Sequence, residues 1–305
     1  MKVTGVLTLA GGETAALPTV VDYRFSYGGG RACDSCMLTC LPEDWSRREL
    51  LRQAVRLTAT AGGVQRFSGV VDEIALEETA QGQRLQIHGR SLAALLLDNE
   101  AGEIVYPYAS WRDILAGHVQ PYGLQVDCRA SLPPVADFSV PSGSSEWAVL
   151  RRFCYEYGGQ GLRVDEQGVL RIGAAESGRV LTVDAGSPLV RLAYRWKRYG
   201  CVSEVLAFET GSPAALRVEN PAFLALGGRR RRRIVLPKGS GSAERLRAAQ
   251  RVIDQSMEEA ETLELALPFP FAAGMGDWVD LVKLGIRRSV TGVDVTPEES
   301  RIFLN

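Results

Sequence analysis

Five consecutive arginines, Gly227-Gly228-Arg229-Arg230-Arg231-Arg232-Arg233-Ile234-Val235, offer the most concentrated chemistry in this chain. Guanidinium groups in such a run could hold the phosphates of a nucleic acid or the carboxylates of an acidic protein. Because Ile234 to Pro237 continues as a strand, the run is extended, and Arg229, Arg231 and Arg233 then face one way while Arg230 and Arg232 face the other. One surface cannot use all five, so Arg229, Arg231 and Arg233 are the candidate partner contacts, with a solvated strand and a DNA contact as the alternatives. Cysteine suggests metal or nucleophilic chemistry, and Cys33, Cys36 and Cys40 lie close together. A structural zinc site needs four soft ligands, usually as two paired motifs. Here the second pair is missing, and His88 and His118 are the only histidines. Cys36, Leu38 and Cys40 share one face of an alternating segment, where reduced cysteine acts as a small buried hydrophobe. No metal and no cofactor is expected. A Cys/His hydrolase would have to use Cys154 and His118, but Cys154 belongs to the apolar stripe of a helix, away from the electropositive setting a thiolate needs. With 36 Asp and Glu residues, a glycosidase-like carboxylate pair could be drawn anywhere and decides nothing. The expectation is a protein that is not an enzyme. Tyr194, Trp196, Lys197, Arg198 and Tyr199 have the composition of a nucleic-acid-binding β-surface. Tyr194 and Trp196 share a pleat face, however, and read better as two inward aromatics.

The frame that must position these residues is set by length and balance. At 305 residues with 46% hydrophobic side chains, the chain suits two or three domains, each with its own core. The net charge of −1 excludes a globally basic nucleic-acid binder. Only Lys2, Lys197, Lys238 and Lys283 are lysines, so 31 of the 35 basic residues are arginine, the better partner for bidentate ion pairs and also the product of a GC-rich genome. No apolar run approaches the about 20 residues of a membrane span, and the N-terminus lacks a signal-peptide layout, which predicts synthesis in the cytoplasm without membrane insertion.

Alternation predicts strands at Met1 to Leu9, Val20 to Tyr27 and Ala32 to Leu41, and at Leu50 to Thr60, where Leu50-Leu51 with Val55 also fits a helix turn but the following Gly62-Gly63 favours strand; a hairpin then runs from Val70 to His88 about a turn at Thr79 to Gln83. In that hairpin Val70, Ile74 and Leu76 share a face with Asp72, and Leu85 and Ile87 point inward. Gly89 is expected to turn the chain, and Ser91 to N-cap a short helix from Leu92 to Leu97 closed by Asp98-Asn99. From Glu100 the character changes. Ser110 to Asp113 has capping-box spacing, Trp147, Leu150, Phe153, Cys154 and Tyr157 recur at helical steps, and Leu162 to Ile172 forms a hairpin. The last third returns to strands at Leu189 to Tyr194, Cys201 to Glu209, Arg229 to Leu236, Thr262 to Leu267, Asp277 to Val282, Ser289 to Val295 and Arg301 to Leu304. An amphipathic helix capped by Ser242, with Leu246, Ala249, Ile253 and Met257 in a stripe, interrupts them. The predicted fold is mainly β: a first antiparallel barrel at 1–99, an α+β unit at 100–180 and a second barrel at 181–305, with strands of one barrel open to completion by the other.

The ordered set of Ala32-Cys33-Asp34-Ser35, Phe67 to Asp72 with Gly69, Gly89-Arg90-Ser91 with Asp98, Tyr157-Gly158 with its following hairpin, the helix into Thr262 to Leu267, and Gly276-Asp277-Trp278-Val279 resembles the late-control D group, the baseplate hub proteins of contractile phage tails and related injection systems. The resemblance implies two tube-like β-barrel domains per chain flanking an α+β domain, and a homotrimeric ring. It implies a symmetry adaptor between a hexameric tail tube and a trimeric spike, located in the virion tail. The implied partners are further copies of the chain, a tail tube or tube-initiator protein, a spike or tail-tip protein and a tape-measure protein, with DNA in the lumen as a further candidate. Phe67, Gly69, Asp72, Gly89, Arg90, Asp98, Gly276 and Asp277 are its motif residues, and structural or interface roles fit them better than catalytic ones.

Overall fold

The computed structural model describes residues 1–41, 48–80, 82–173, 178–236 and 238–305. Gln81 of the predicted hairpin turn and Pro237 of the predicted strand lie outside them. In the N-terminal region alternating burial produces β1 (Val3–Leu9), β2 (Thr14–Ala16), β3 (Thr19–Gly28) and β4 (Ser35–Leu41). A short helix α1 (Arg48–Leu51) precedes β5 (Ala54–Ala61), β6 (Val64–Thr79) and β7 (Gly82–Ser91). The segment from Leu50 to Thr60 is therefore helix and then strand, because Leu51 buries against the core from a helical turn before alternation begins. In the middle region the chain forms α2 (Ala94–Leu97), β8 (Ile104–Ala109), α3 (Trp111–His118), β9 (Gln125–Cys128), β10 (Val135–Val140) and α4 (Glu146–Arg151), which continues as a π-helical turn over Arg152–Tyr157. The hairpin of β11 (Leu162–Val164) and β12 (Val169–Ile172) closes this unit around its own core of Leu96, Ile114, Phe138, Leu150, Phe153 and Leu170. Ser110 caps α3 in a capping box with Asp113, as its spacing predicts.

The C-terminal region contributes β13 (Val180–Val183), β14 (Arg191–Trp196), β15 (Glu204–Glu209), β16 (Ala215–Glu219), α5 (Pro221–Ala225), β17 (Arg231–Leu236), α6 (Ser242–Glu258), β18 (Glu261–Leu267), β19 (Trp278–Leu281), β20 (Ile286–Val295) and β21 (Ser300–Leu304). Two separate barrels do not result. The strands join into one 13-stranded sheet ordered β14-β18-β21-β20-β3-β4-β7-β6-β5-β1-β2, with β13 and β19 attached through β20, and among the described residues it does not close. A single core runs through it, placing Leu38, Phe67 and Ile87 with Leu265, Val293 and Ile302.

The seam is the antiparallel pairing of β20 with β3, from Gly292↔Gly28 to Val295↔Phe25. Backbones meet closely there: a Cβ on Gly292 would lie 2.7 Å from the Gly29 nitrogen, and one on Gly28 would lie 2.5 Å from the Thr291 carbonyl oxygen. Phe271 crosses the same seam, its ring centroid 5.4 Å from that of Phe25, with the Arg66 guanidinium 4.5 Å above its face. It adopts φ 54°, a left-handed conformation uncommon for a bulky residue.

A second correction concerns residues 197–260. The strands at Cys201 to Glu209 and Arg229 to Leu236 were expected in the second barrel, yet β14 pairs directly with β18 across this insertion. The Lys197 N–H donates to the Ala260 carbonyl at 2.7 Å and pinches its neck. What lies between is a separate three-stranded sheet, β16-β15-β17, covered on one face by α6 through Ala249 and Ile253 against Val205 and Ala207. Gly241, not Ser242, is the N-cap of α6 and no side chain caps it; Leu246 of the predicted stripe is exposed.

Because Gly292 meets fixed backbone rather than a movable side chain, Gly292→Ala should destabilise the whole sheet by about 1–3 kcal/mol. Urea unfolding measures this as a fall in midpoint with little change in slope.

Candidate partner-binding site

The motif around Phe67 assembles into a single clamp. Phe67, Gly69 and Val71 face the core along β6, and a bulge between Val71 and Glu73 then inserts one residue. Beyond the bulge Ile74 and Leu76 take the inward face, so Val71, and not Val70, shares it with them. A bulge re-aims a side chain. Here it is Asp72, whose Oδ2 accepts from Arg90 Nε at 2.6 Å and whose Oδ1 accepts from Nη2 at 3.0 Å. The opposite fork of the same guanidinium donates to Asp98, at 3.0 Å from Nη1 and 2.7 Å from Nη2. One arginine on β7 thereby ties β6 to the C-cap of α2. Its hydrogen bonds hold the Asp98 carboxyl below the usual carboxylate range, and donating to Asp72 first and then to Asp98 raises Arg90 above its ordinary value.

The glycines make room for this arrangement. A Cβ on Gly69 would lie 2.1 Å from the Arg90 carbonyl oxygen and 2.6 Å from the Phe67 ring. Gly89 is not at a turn; it sits inside β7, where a Cβ would lie 2.7 Å from the Val70 carbonyl oxygen. Ser91 does not cap α2, whose N-cap is Ala93. Instead its N–H donates to the Asp34 carbonyl at 2.8 Å and its Oγ accepts from the Asp34 N–H at 3.2 Å. The Asp34 carboxylate is buried and accepts from the Gly28 N–H at 2.9 Å. Burial pushes its pKa up to about 6 against the opposing pull of that hydrogen bond. In the C-terminal region Asp277 has a comparable sewing role. Its carboxylate accepts from the backbone N–H groups of Gly274 and Arg179, both at 2.9 Å, joining the turn at Gly276 to the start of β13.

The five arginines divide as the period-two argument requires, but most are already engaged. On β17, Arg231 bonds Glu204, and Arg217 of β16 forms an ion pair with the other oxygen of that buried carboxylate at 2.7 Å. These arginines, Arg231 first, hold Glu204 below the usual carboxylate range. Arg233 lies on the same face with its guanidinium 4.6 Å over the Phe208 ring. Arg229 precedes the strand and donates to the Gly228 carbonyl at 2.9 Å, and Arg230 donates to the Tyr199 carbonyl. Among the described residues no carboxylate pairs with Arg229, Arg230, Arg232 or Arg233, and all five arginines are exposed.

The two inward aromatics are a correction. Tyr194 is 59% exposed and Trp196 47% exposed. They share the pleat face of the partly buried Leu192, but β14 is the terminal strand, and among the described residues no strand lies beyond it. With Leu189 and Val190 they form an apolar strip along that edge. Cys154 is buried and desolvation pushes its thiol up to about 12; Cys33 and Cys40 rise to about 11 for the same reason. His118 is occupied on both ring nitrogens, with Nδ1 2.5 Å from Glu146 Oε2 and Nε2 3.0 Å from the Tyr106 hydroxyl. Tyr122 donates to the other Glu146 oxygen at 3.1 Å. Sequence reasoning missed this network, whose one legible signal was an acid in the first turn of α4.

No protein-family model matches the chain, and no curated protein sequence matches it. Its fold is shared with solved tail proteins. The tail protein from Neisseria meningitidis MC58 aligns with TM-score 0.77 at 14% identity, covering 100% of this chain and 96% of that one. The 43 kDa tail protein of prophage MuSo2 from Shewanella oneidensis aligns with TM-score 0.75 at 14% identity, covering 99% and 98%. The E. coli c3393 protein, a component of the type VI secretion system with structural similarity to T4 bacteriophage tail proteins gp27 and gp5, aligns with TM-score 0.56 at 12% identity over 93% of this chain and 73% of its own.

Replacing Arg90 by Ala leaves two carboxylates facing each other, and the expected loss is about 1–2 kcal/mol, given the partial exposure of all three groups. Arg90→Lys should recover less than half, since an ammonium cannot make two bidentate pairs; urea titrations of both variants measure this. The raised pKa of Asp34 carries the opposite sign to an ion-paired acid. The folded state binds the extra proton between about pH 4 and 6, so stability falls as pH rises through that window, by up to about 3 kcal/mol. Asp34→Asn keeps the acceptor for Gly28 and should flatten that slope in unfolding measured at pH 4.5 and pH 7.

Proposed function

We propose that this chain is a structural component of a phage tail or phage-like injection apparatus, acting as the hub that adapts the symmetry of a tail tube to that of a spike. Support comes first from the extent of the likeness, since the whole chain, insertion included, follows the course of tail proteins. The likeness to a type VI secretion component extends the reading to contractile injection systems. On this reading the work of the chain is recognition: it acts in the tail of the particle after assembly in the host, and contacts further copies of itself, a tube protein, a spike and a tape-measure segment.

The single observation that carries assembly is the sheet left unclosed among the described residues, whose terminal strand presents exposed aromatic side chains on one pleat face. Free strand edges with exposed apolar side chains template pairing with another chain unless they are covered. Leu189 and Val190, just ahead of β14, and Tyr194 and Trp196 on it are exposed in the isolated chain. A closed homotrimeric ring would cover this strip with the neighbouring copy, and a heterologous contact of this kind closes only when the rotation fits.

Mass photometry with negative-stain electron microscopy of the purified chain should therefore show threefold rings, alone or with a spike or tube partner. The double variant Tyr194→Glu with Trp196→Glu should remain folded and shift at least about tenfold toward monomer, the effect of burying a charge at such a contact. A chain that stays monomeric with every tail partner, or rings indifferent to both substitutions, would overturn this assignment.

A further inference from the structure

The small unit inserted between β14 and β18 has an open edge of its own. β17 pairs in parallel with β15 from Glu204↔Arg231 to Glu209↔Leu236, and among the described residues no strand lies on its other side. The carbonyls of Arg230 and Leu236 accept from the N–H groups of Glu204, at 3.2 Å, and Thr210, at 2.9 Å. In a strand the N–H and C=O of one residue point to the same side. Arg232 and Ile234 therefore serve the ladder with β15, while Arg231, Arg233 and Val235 turn their backbone groups outward. Val235 is also 67% exposed through its side chain.

Charge selects the kind of partner. Residues 197–260 carry 12 Lys and Arg against 7 Asp and Glu, in a chain whose net charge is −1. Along β17 the order is cationic at Arg231 to Arg233 and aliphatic at Ile234 to Leu236. Glu204 consumes Arg231, which leaves Arg232 and Arg233 with no carboxylate among the described residues. A nucleic acid fits this edge poorly, because a phosphodiester backbone offers no N–H groups to the outward carbonyls and no apolar cover for Val235.

We propose that β17 is a docking edge that accepts an acidic extended segment of a partner protein as an added strand, with carboxylates opposite Arg232 and Arg233 and aliphatic side chains opposite Ile234 and Val235. Main-chain bonds supply the attachment and the charge pattern sets the register, as in strand addition generally. Docking here is independent of ring formation, which concerns the β14 edge.

The test uses the full chain and a fluorescein-labelled peptide of four glutamates followed by Val-Thr-Val-Thr, together with its reverse so that both strand directions are sampled. Fluorescence anisotropy at low salt should show saturable binding of at least one peptide. Val235→Pro removes an outward N–H while sparing the ladder with β15, and should weaken binding at least about tenfold; so should Arg232→Ser with Arg233→Ser. Arg232→Glu with Arg233→Glu should lose the glutamate peptide and gain its lysine counterpart, which decides the matter if the proline variant fails to fold by circular dichroism. No saturable binding of either peptide, or binding unchanged by the arginine substitutions, overturns the proposal. So does tighter binding of single-stranded oligothymidylate that is lost in the arginine variants, which would make the edge a nucleic-acid contact.

Discussion

The pairing of β20 with β3 governs the rest of the molecule. Without it the N-terminal and C-terminal strands would form two open sheets, each with its aromatic side chains facing water. With it, Phe25 is fully buried and Phe271 packs against it from the other end of the chain. The energetic weight lies in that shared apolar core, at about 25 cal/mol for each square ångström removed from water. Glycine at Gly28 and Gly292 is the steric condition for it, since side chains there would hold the backbones apart. Contacts this distant in sequence also imply slow folding, because loop closure must precede the reward.

A second constraint is local and polar. Opposing carboxylates on β6 and at the end of α2 would repel each other, yet the bulge brings Asp72 to the same guanidinium that holds Asp98. Arginine suits this position because its planar fork satisfies two bidentate pairs at once. The requirement for glycine at Gly69 and Gly89 follows first from the cross-strand carbonyl oxygens of Arg90 and Val70 and then from the Phe67 ring, so the motif is a packing solution whose members depend on one another. Its three charged members, Arg90, Asp72 and Asp98, are partly exposed and satisfy one another, while Phe67, Gly69 and Gly89 are buried beneath them.

Much of this was legible in the residues. Period two located Leu85 and Ile87 in the core, capping-box spacing located the start of α3, and turn glycines located the hairpins. The failures have physical causes. The bulge at Asp72 changes parity by one residue, which no propensity signals, so strict alternation assigns Val70 the inward place that Val71 takes. Tyr194 and Trp196 were read as inward because their face is the core face; only the order of strands shows that β14 lies at the end of the sheet. The insertion at 197–260 escaped notice because its strands and helix are individually ordinary, and its separateness depends on β14 finding β18. The His118 network joins residues 12 and 28 positions apart, a long-range match that pattern cannot reveal.

The two open edges divide the molecule by chemistry. The edge at β14 belongs to the continuous sheet and presents Tyr194 and Trp196 on one pleat face, with the exposed Arg191 and Arg195 on the other, so association through the aromatic face removes hydrophobic surface from water. The edge at β17 is cationic and sits on a unit whose two chain connections meet at Lys197 and Ala260. Electrostatic attraction there would speed encounter and weaken as salt screens it. The two edges thus differ in kind: contact through the aromatic face of β14 rests on apolar burial, and contact at β17 on charge. The placement of Arg231 to Arg233 outside the main sheet keeps their mutual repulsion from loading the seam on which the fold depends.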